Sequence, residues 1–269
     1  LNVSTHPRGV VVVVNGPLSS PAAVEWGARE ASLRDVTLTL VAIRKPGMRR
    51  DVATAALVAA ADAIEGQCSS RIDLEIVDGL VIWVLLGLSN CSELLILGAG
   101  FQRQAADSLL RSAPARLVEH ARCPVLVVHD LDRWRPNLPV LVAVESCPSC
   151  EVAIDLGFQE ASRRGVDLIT VHNASGPAER ASFPAEDAVA ESLATHRARY
   201  PDVPVLSLPR RASDEGRWGG YSRSAQLVVI CDRAAQEFSG LRLGPLTCAV
   251  LRYVRAPVLV ARRARVHTQ

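Results

Sequence analysis

Lysine is almost missing from this chain: Lys45 is the only one among 30 basic residues, so arginine carries nearly every positive charge. That absence removes the usual phosphate-binding lysine. Neither a Walker G-K-[S/T] nor a G-x-S-x-G stretch occurs, so P-loop and serine-hydrolase chemistry have no support. An excess of one charge is missing too. Against 28 acidic residues the net charge is +2, which argues against a surface built to neutralise nucleic-acid phosphates. Long apolar segments are absent. The most membrane-like stretch, "LVIWVLLGL" at Leu80–Leu88, is about half the ~20 residues a spanning helix needs, and "SNCSE" follows it. A buried core helix and no membrane partner are expected. The opening "LNVSTHPRGVVVVV" lacks the charged segment, apolar core and cleavage site of a signal peptide. Seven cysteines, an odd number in 269 residues, do not make a disulfide framework, and a reducing cytoplasm fits them best. The six histidines lack metal-ligand spacing, so no metal is expected.

What is present is a chain written twice. "VVVVVNGPLSSPAAVEWGAREASLRDVTLTLVAI" and "VLVAVESCPSCEVAIDLGFQEASRRGVDLITVHN" align without a gap when Asn15 is placed over Glu145. The ends correspond as well, "VEHARCPVLVV" lying over "LRYVRAPVLVA" with Pro124 opposite Pro257. A repeat this long implies two copies of one domain, 1–130 and 139–263, rather than a solenoid. The charged, proline-containing "DLDRWRPNLP", Asp130–Pro139, is the expected linker.

Each copy alternates short β-rich runs with helix-length segments. Strands are predicted at Val10–Val14, Thr37–Ile43, Ile72–Ile76, Leu94–Leu97 and Val125–Val128. In the second copy they fall near Val140–Val144, Asp167–Val171, Val205–Leu208, Leu227–Ile230 and Val258–Val260. Helices are predicted from about Ser20 to Leu33 and in "DVATAALVAAADAIEG", "LVIWVLLGL" and "SAPARLVEHA". Near-continuous apolar strands between helices mean a parallel sheet covered on both faces. The expected fold is therefore α/β, with two tandem five-stranded parallel-sheet domains of Rossmann-like or flavodoxin-like type. Ser20-Pro21 supplies a capping hydroxyl followed by proline at a helix start.

Several separate stretches resemble the universal stress protein family in its tandem-domain form. "VVVNGPLSS" is similar to that family's V-D-G-S-x-x-S, "AAVEWGAREASLR" to its first helix, and "RLVEHARCPVLVVHD" to its last helix and strand. "QEASRRGVDLITVH" and "RYPDVPV" extend the resemblance into the second copy. It implies a stress-response binding or regulatory module, not an enzyme, that in nucleotide-binding members holds ATP across the carboxyl ends of the strands. The family loop, G-x2-G-x9-G-[S/T], offers backbone N–H groups and a hydroxyl to the phosphates.

Carried onto this chain, the tentative nucleotide set is Asn15, Gly16, Ile43, Gly98, Gly100, Arg111 and Ser112 in the first copy, with Glu145 and Gly244 in the second. The family's aspartate is Asn15, which keeps hydrogen bonding and loses charge. Gly98 matches the first loop glycine, while Phe101 and Arg111 replace the others and Ser112 keeps the hydroxyl. Gly100 is displaced from the pattern. In the second copy Cys231 and Ala234 replace the first two glycines, Gly244 survives, and Pro245 replaces the serine. Weak or lost ATP affinity is expected, with the first copy less damaged. Two alternatives stand beside this reading. One keeps a working adenine-nucleotide site in the first domain, with Arg111 and Ser112 on the phosphates and slow or no hydrolysis. The other makes "CPSC", Cys147–Cys150, a thiol redox switch at a strand-to-helix turn; the remaining cysteines read as small core residues. As to partners, the family resemblance implies pairing of the two last strands within one chain, with a homodimer and a regulatory protein partner as further possibilities.

Overall fold

The computed structural model describes residues 7–14, 20–98, 117, 120–129, 134–145, 150–173, 183–208, 218–231, 250, 254 and 256–262. Two compact units emerge, one lying before residue 134 and one spanning 134–262.

The first unit contains β1 (Arg8–Val13), α1 (Pro21–Arg34), β2 (Leu38–Arg44), α2 (Arg50–Asp62), β3 (Ile72–Asp78), α3 (Val81–Ser89), β4 (Ser92–Gly98) and β5 (Val125–Val128). Its strands are parallel in the order β3-β2-β1-β4-β5. The second contains β6 (Val140–Glu145), α4 (Cys150–Arg164), β7 (Leu168–Asn173), α5 (Phe183–Arg199), β8 (Val205–Leu208), α6 (Trp218–Arg223), β9 (Leu227–Cys231) and β10 (Val258–Ala261). Its order, β8-β7-β6-β9-β10, is the same topology. The α/β class and five parallel strands per unit agree with the sequence. Most of "SAPARLVEHA" lies outside the described residues, with Leu117 and His120 helical.

The repeat extends to individual atoms. Ser20 caps α1 by accepting from the Ala23 N–H at 3.1 Å, and Pro21 follows as the first helical residue. Ala23, Gly27 and Ala31, a small-residue face four apart, are buried. A methyl at Gly27 would overlap Val12 Cγ2, and one at Gly157 would overlap Val142 Cγ2. The two glycines therefore let α1 and α4 sit down onto the central strands. Each helix ends in a left-handed residue, Asp35 at φ 53° and Gly165 at φ 62°. There Val36 N–H donates to Ala31 O and Val166 N–H to Ala161 O, both at 3.1 Å. Each helix also buries an i,i+4 ion pair, Glu30 with Arg34 and Glu160 with Arg164.

Burial falls from the centre outward. Every residue of β1 is buried, whereas β3 and β8 carry exposed positions including Leu74 and Leu206. Arg8 starts β1 with its guanidinium buried against the Glu75 carboxylate at 2.9 Å and the Cys91 sulfur at 2.9 Å. The expectation that every cysteine outside "CPSC" is a core residue needs correction. Cys123 and Cys231 are buried, but Cys68 and Cys91 are only half-buried, because they occupy loops that close over helix ends. Cys248 lies outside the described residues.

Candidate functional site

A parallel sheet in this strand order has one topological switch point per unit, between its first and fourth strands, at the carboxyl ends. In the first unit Val12 pairs with Ile96, so Gly98, at the end of β4, stands opposite Val14. Gly98 also pairs with Val128 of β5. On the other side of β1, Val13 pairs with Val41 and the Val14 N–H donates to Val41 O at 3.0 Å. Ile43, buried, lies two residues further along β2. Gly98 and Ile43 thus flank the point where the chain leaves β1, with Ser20 capping the helix that follows.

In the second unit Glu145 ends β6, paired in register with Asn173 of β7. The other sequence-predicted site residues, Asn15, Gly16, Gly100, Arg111, Ser112 and Gly244, lie outside the described residues, as do Phe101, Cys147, Ala234 and Pro245.

Two pairs at these edges were invisible to sequence spacing. The first joins Arg44, the last residue of β2, to Asp78, the last of β3. Arg44 Nε and Nη2 donate to Asp78 Oδ1 and Oδ2, each at 2.5 Å, in a forked contact. The Arg44 hydrogen bond, with its positive charge, holds the Asp78 carboxyl below its ordinary value, and Asp78 in turn raises Arg44. The cation next to Ile43 is therefore already engaged by a carboxylate.

The second pair is Cys150 and Cys231, whose sulfurs lie 3.3 Å apart with both side chains buried. Strand register gives their meaning. Val142 pairs with Val229 as Val12 pairs with Ile96, so Cys231 occupies the position that Gly98 holds in the first unit. The repeat alignment places Cys150 over Ser20. A glycine and a capping serine in one unit are matched by two touching cysteines in the other. The sequence offers Cys147 as the partner of Cys150 in one alternative; Cys147 lies outside the described residues, and no sequence spacing points to Cys231.

No protein-family model matches the chain. It is 34% identical to the universal stress protein Rv2005c of Mycobacterium tuberculosis (strain ATCC 25618 / H37Rv), over 96% of this chain and 98% of that protein. The chain belongs to the universal stress protein family. A second universal stress protein of that organism, Rv2623, is 30% identical over 95% of this chain and 97% of its own length. Among solved structures, a universal stress protein from Archaeoglobus fulgidus DSM 4304 superposes with a TM-score of 0.69 at 16% identity, covering 95% of this chain and 97% of that one. The protein PA1789 from Pseudomonas aeruginosa PAO1, described as functionally unknown, gives 0.64 at 20% identity, covering 96% and 93%. These likenesses establish the universal stress protein fold over nearly the whole chain.

Among the described residues no group of three or more histidine, cysteine, aspartate or glutamate side chains is arranged to hold a metal ion. No described helix is long and apolar enough to cross a membrane.

Proposed function

We propose that this universal stress protein is a cytoplasmic stress-response binding or regulatory module whose nucleotide clefts have degenerated, the second more than the first. The observation carrying this reading is the second unit's switch point. Where the family loop begins with a glycine, Cys231 brings a side chain whose sulfur sits 3.3 Å from Cys150. A side chain at that position takes up room that a glycine would leave for a phosphate to approach backbone N–H groups. In the first unit Gly98 keeps the loop's start, but Phe101 and Arg111 stand at the other two glycine positions. Losing several charge-assisted contacts, at about 1.5–3 kcal/mol each, weakens even a tight site by orders of magnitude.

The test is calorimetric titration of the intact chain with ATP, alongside the triple variant Asn15→Asp, Phe101→Gly, Arg111→Gly. The expected outcome is no micromolar binding to the unmodified chain and measurable binding to the variant. Micromolar binding to the unmodified chain overturns the proposal. It would favour the reading in which Arg111 and Ser112 hold the phosphates of a working first-domain site.

A further inference from the structure

We propose that Cys150 and Cys231 form a reversible disulfide, an oxidation site at the carboxyl edge of the second unit that a small peroxide can close. The inference is independent of nucleotide affinity.

Geometry comes first. A disulfide brings its sulfurs to about 2.05 Å, so these two must close by about 1.25 Å from 3.3 Å, a displacement within reach of side-chain rotation. Cys150 is the first residue of the 15-residue helix α4 and Cys231 the last of β9, so the bond would join a helix start to a strand end. They are 81 positions apart, so the cross-link spans β7, α5, β8 and α6.

The pairing is also not the ordinary outcome of drift in a core. In the first unit the equivalent positions are Ser20 and Gly98, a cap and a strand-end glycine that perform backbone tasks. Both positions carry cysteine in the second unit, and the fold sets their sulfurs 3.3 Å apart. Cys150 gives up the hydroxyl that Ser20 uses to accept from a backbone N–H.

The chemistry divides between the two sulfurs. Cys150, at the start of a helix whose N-terminal N–H groups face developing negative charge, is assigned as the sulfur that attacks first, giving up its proton as it does so. It attacks one peroxide oxygen, the O–O bond breaks, and Cys150 becomes a sulfenic acid while the departing oxygen leaves as water with the thiol proton. The Cys231 sulfur then attacks the Cys150 sulfur, the S–O bond breaks, and the hydroxyl leaves as a second water with the Cys231 proton. Two thiols are oxidised by two electrons and one peroxide is reduced to two waters. A dithiol reductant reverses the step by thiol–disulfide exchange. With relative exposures of 2% and 1%, both sulfurs are nearly closed to solvent, so peroxide and reductant reach them when the chain opens locally at this edge.

The experiment treats the full chain with hydrogen peroxide, alkylates remaining thiols after denaturation, and maps linked peptides by mass spectrometry without reduction. The expected product is a Cys150–Cys231 cross-link that disappears on reduction, persists in Cys147→Ser and is absent from Cys231→Ser. The cross-linked chain should melt about 5–10 °C higher, because a long loop is closed in the unfolded state. Recovery of both cysteines as alkylated thiols overturns the proposal, as does a Cys147–Cys150 link. The mapping is made on the unmodified chain, so the conclusion does not depend on any variant folding.

Discussion

Cys123 shows how a single residue's surroundings become a measurable property. It is buried just before β5, and burial pushes its thiol from an ordinary 9.0 up to about 12. The unfolded chain releases this proton near pH 9, whereas the folded chain keeps it. Between about 9 and about 12 the native state therefore binds more protons than the unfolded one, and stability falls as pH rises. Comparing urea unfolding at pH 8 and pH 10.5, the unmodified chain should lose more stability than Cys123→Ala. The difference should approach ~1.4 kcal/mol per pH unit within that window, the value for one proton. Identical pH slopes for the two proteins would show that Cys123 ionises in the native state as it does in the unfolded one. Below pH 8 the same thiol has no effect on the slope, since both states hold the proton.

At the scale of the helix, α4 joins sequence to stability through one buried ion pair. Glu160 and Arg164 are both almost inaccessible to water, and Arg163 adds a second donor to Glu160 at 2.8 Å. Removing only the cation leaves a carboxylate buried with part of its hydrogen bonding gone. Arg164→Met should cost about 3–5 kcal/mol, whereas Glu160→Leu with Arg164→Met together should cost much less, because no charge is stranded. Denaturant melts of the two singles and the double decide this. Equal losses in Arg164→Met and the double variant would mean that packing, not charge, is what the pair supplies. The same logic applies to Glu30 and Arg34 in α1.

Elements of this kind were largely readable in the sequence, because apolar runs locate strands and a serine–proline pair locates a helix start. The observed strands differ from expectation mainly where long-range pairing extends them. β1 begins at Arg8 because Glu75 neutralises its guanidinium, and β3 runs on to Asp78, which pairs with Arg44. Neither contact leaves a mark in local spacing. At the candidate site, the family resemblance singles out Gly98, Ile43 and Glu145, and each lies at or beside the carboxyl end of its strand. The Arg44–Asp78 fork and the Cys150–Cys231 contact were not legible in the sequence, because each joins residues from separate strands or helices. Only the register of the folded sheet brings such partners together.

For the molecule as a whole, charge is the property that selects among partners. Thirty basic residues against 28 acidic ones leave +2, too little for a long-range attractive field. The structure adds that many of the arginines are already committed. Arg8, Arg34, Arg44, Arg71, Arg163 and Arg164 each face a carboxylate, and Arg135 donates to the Arg223 carbonyl at 2.9 Å. An arginine held by a carboxylate must lose that partner before it can neutralise a phosphate, so the attraction to a polyanion is offset. The chain should bind duplex DNA no more tightly than about 10⁻⁴–10⁻⁶ M at physiological salt, the range of non-specific association. Fluorescence anisotropy of a labelled duplex, titrated at low and at physiological salt, measures this. Sub-micromolar affinity at physiological salt, with a steep fall as salt rises, would mean that a basic face forms despite the balanced total. The arginine-rich segment 261–265 would then be the first place to neutralise by substitution, and loss of the salt dependence would locate the contact there.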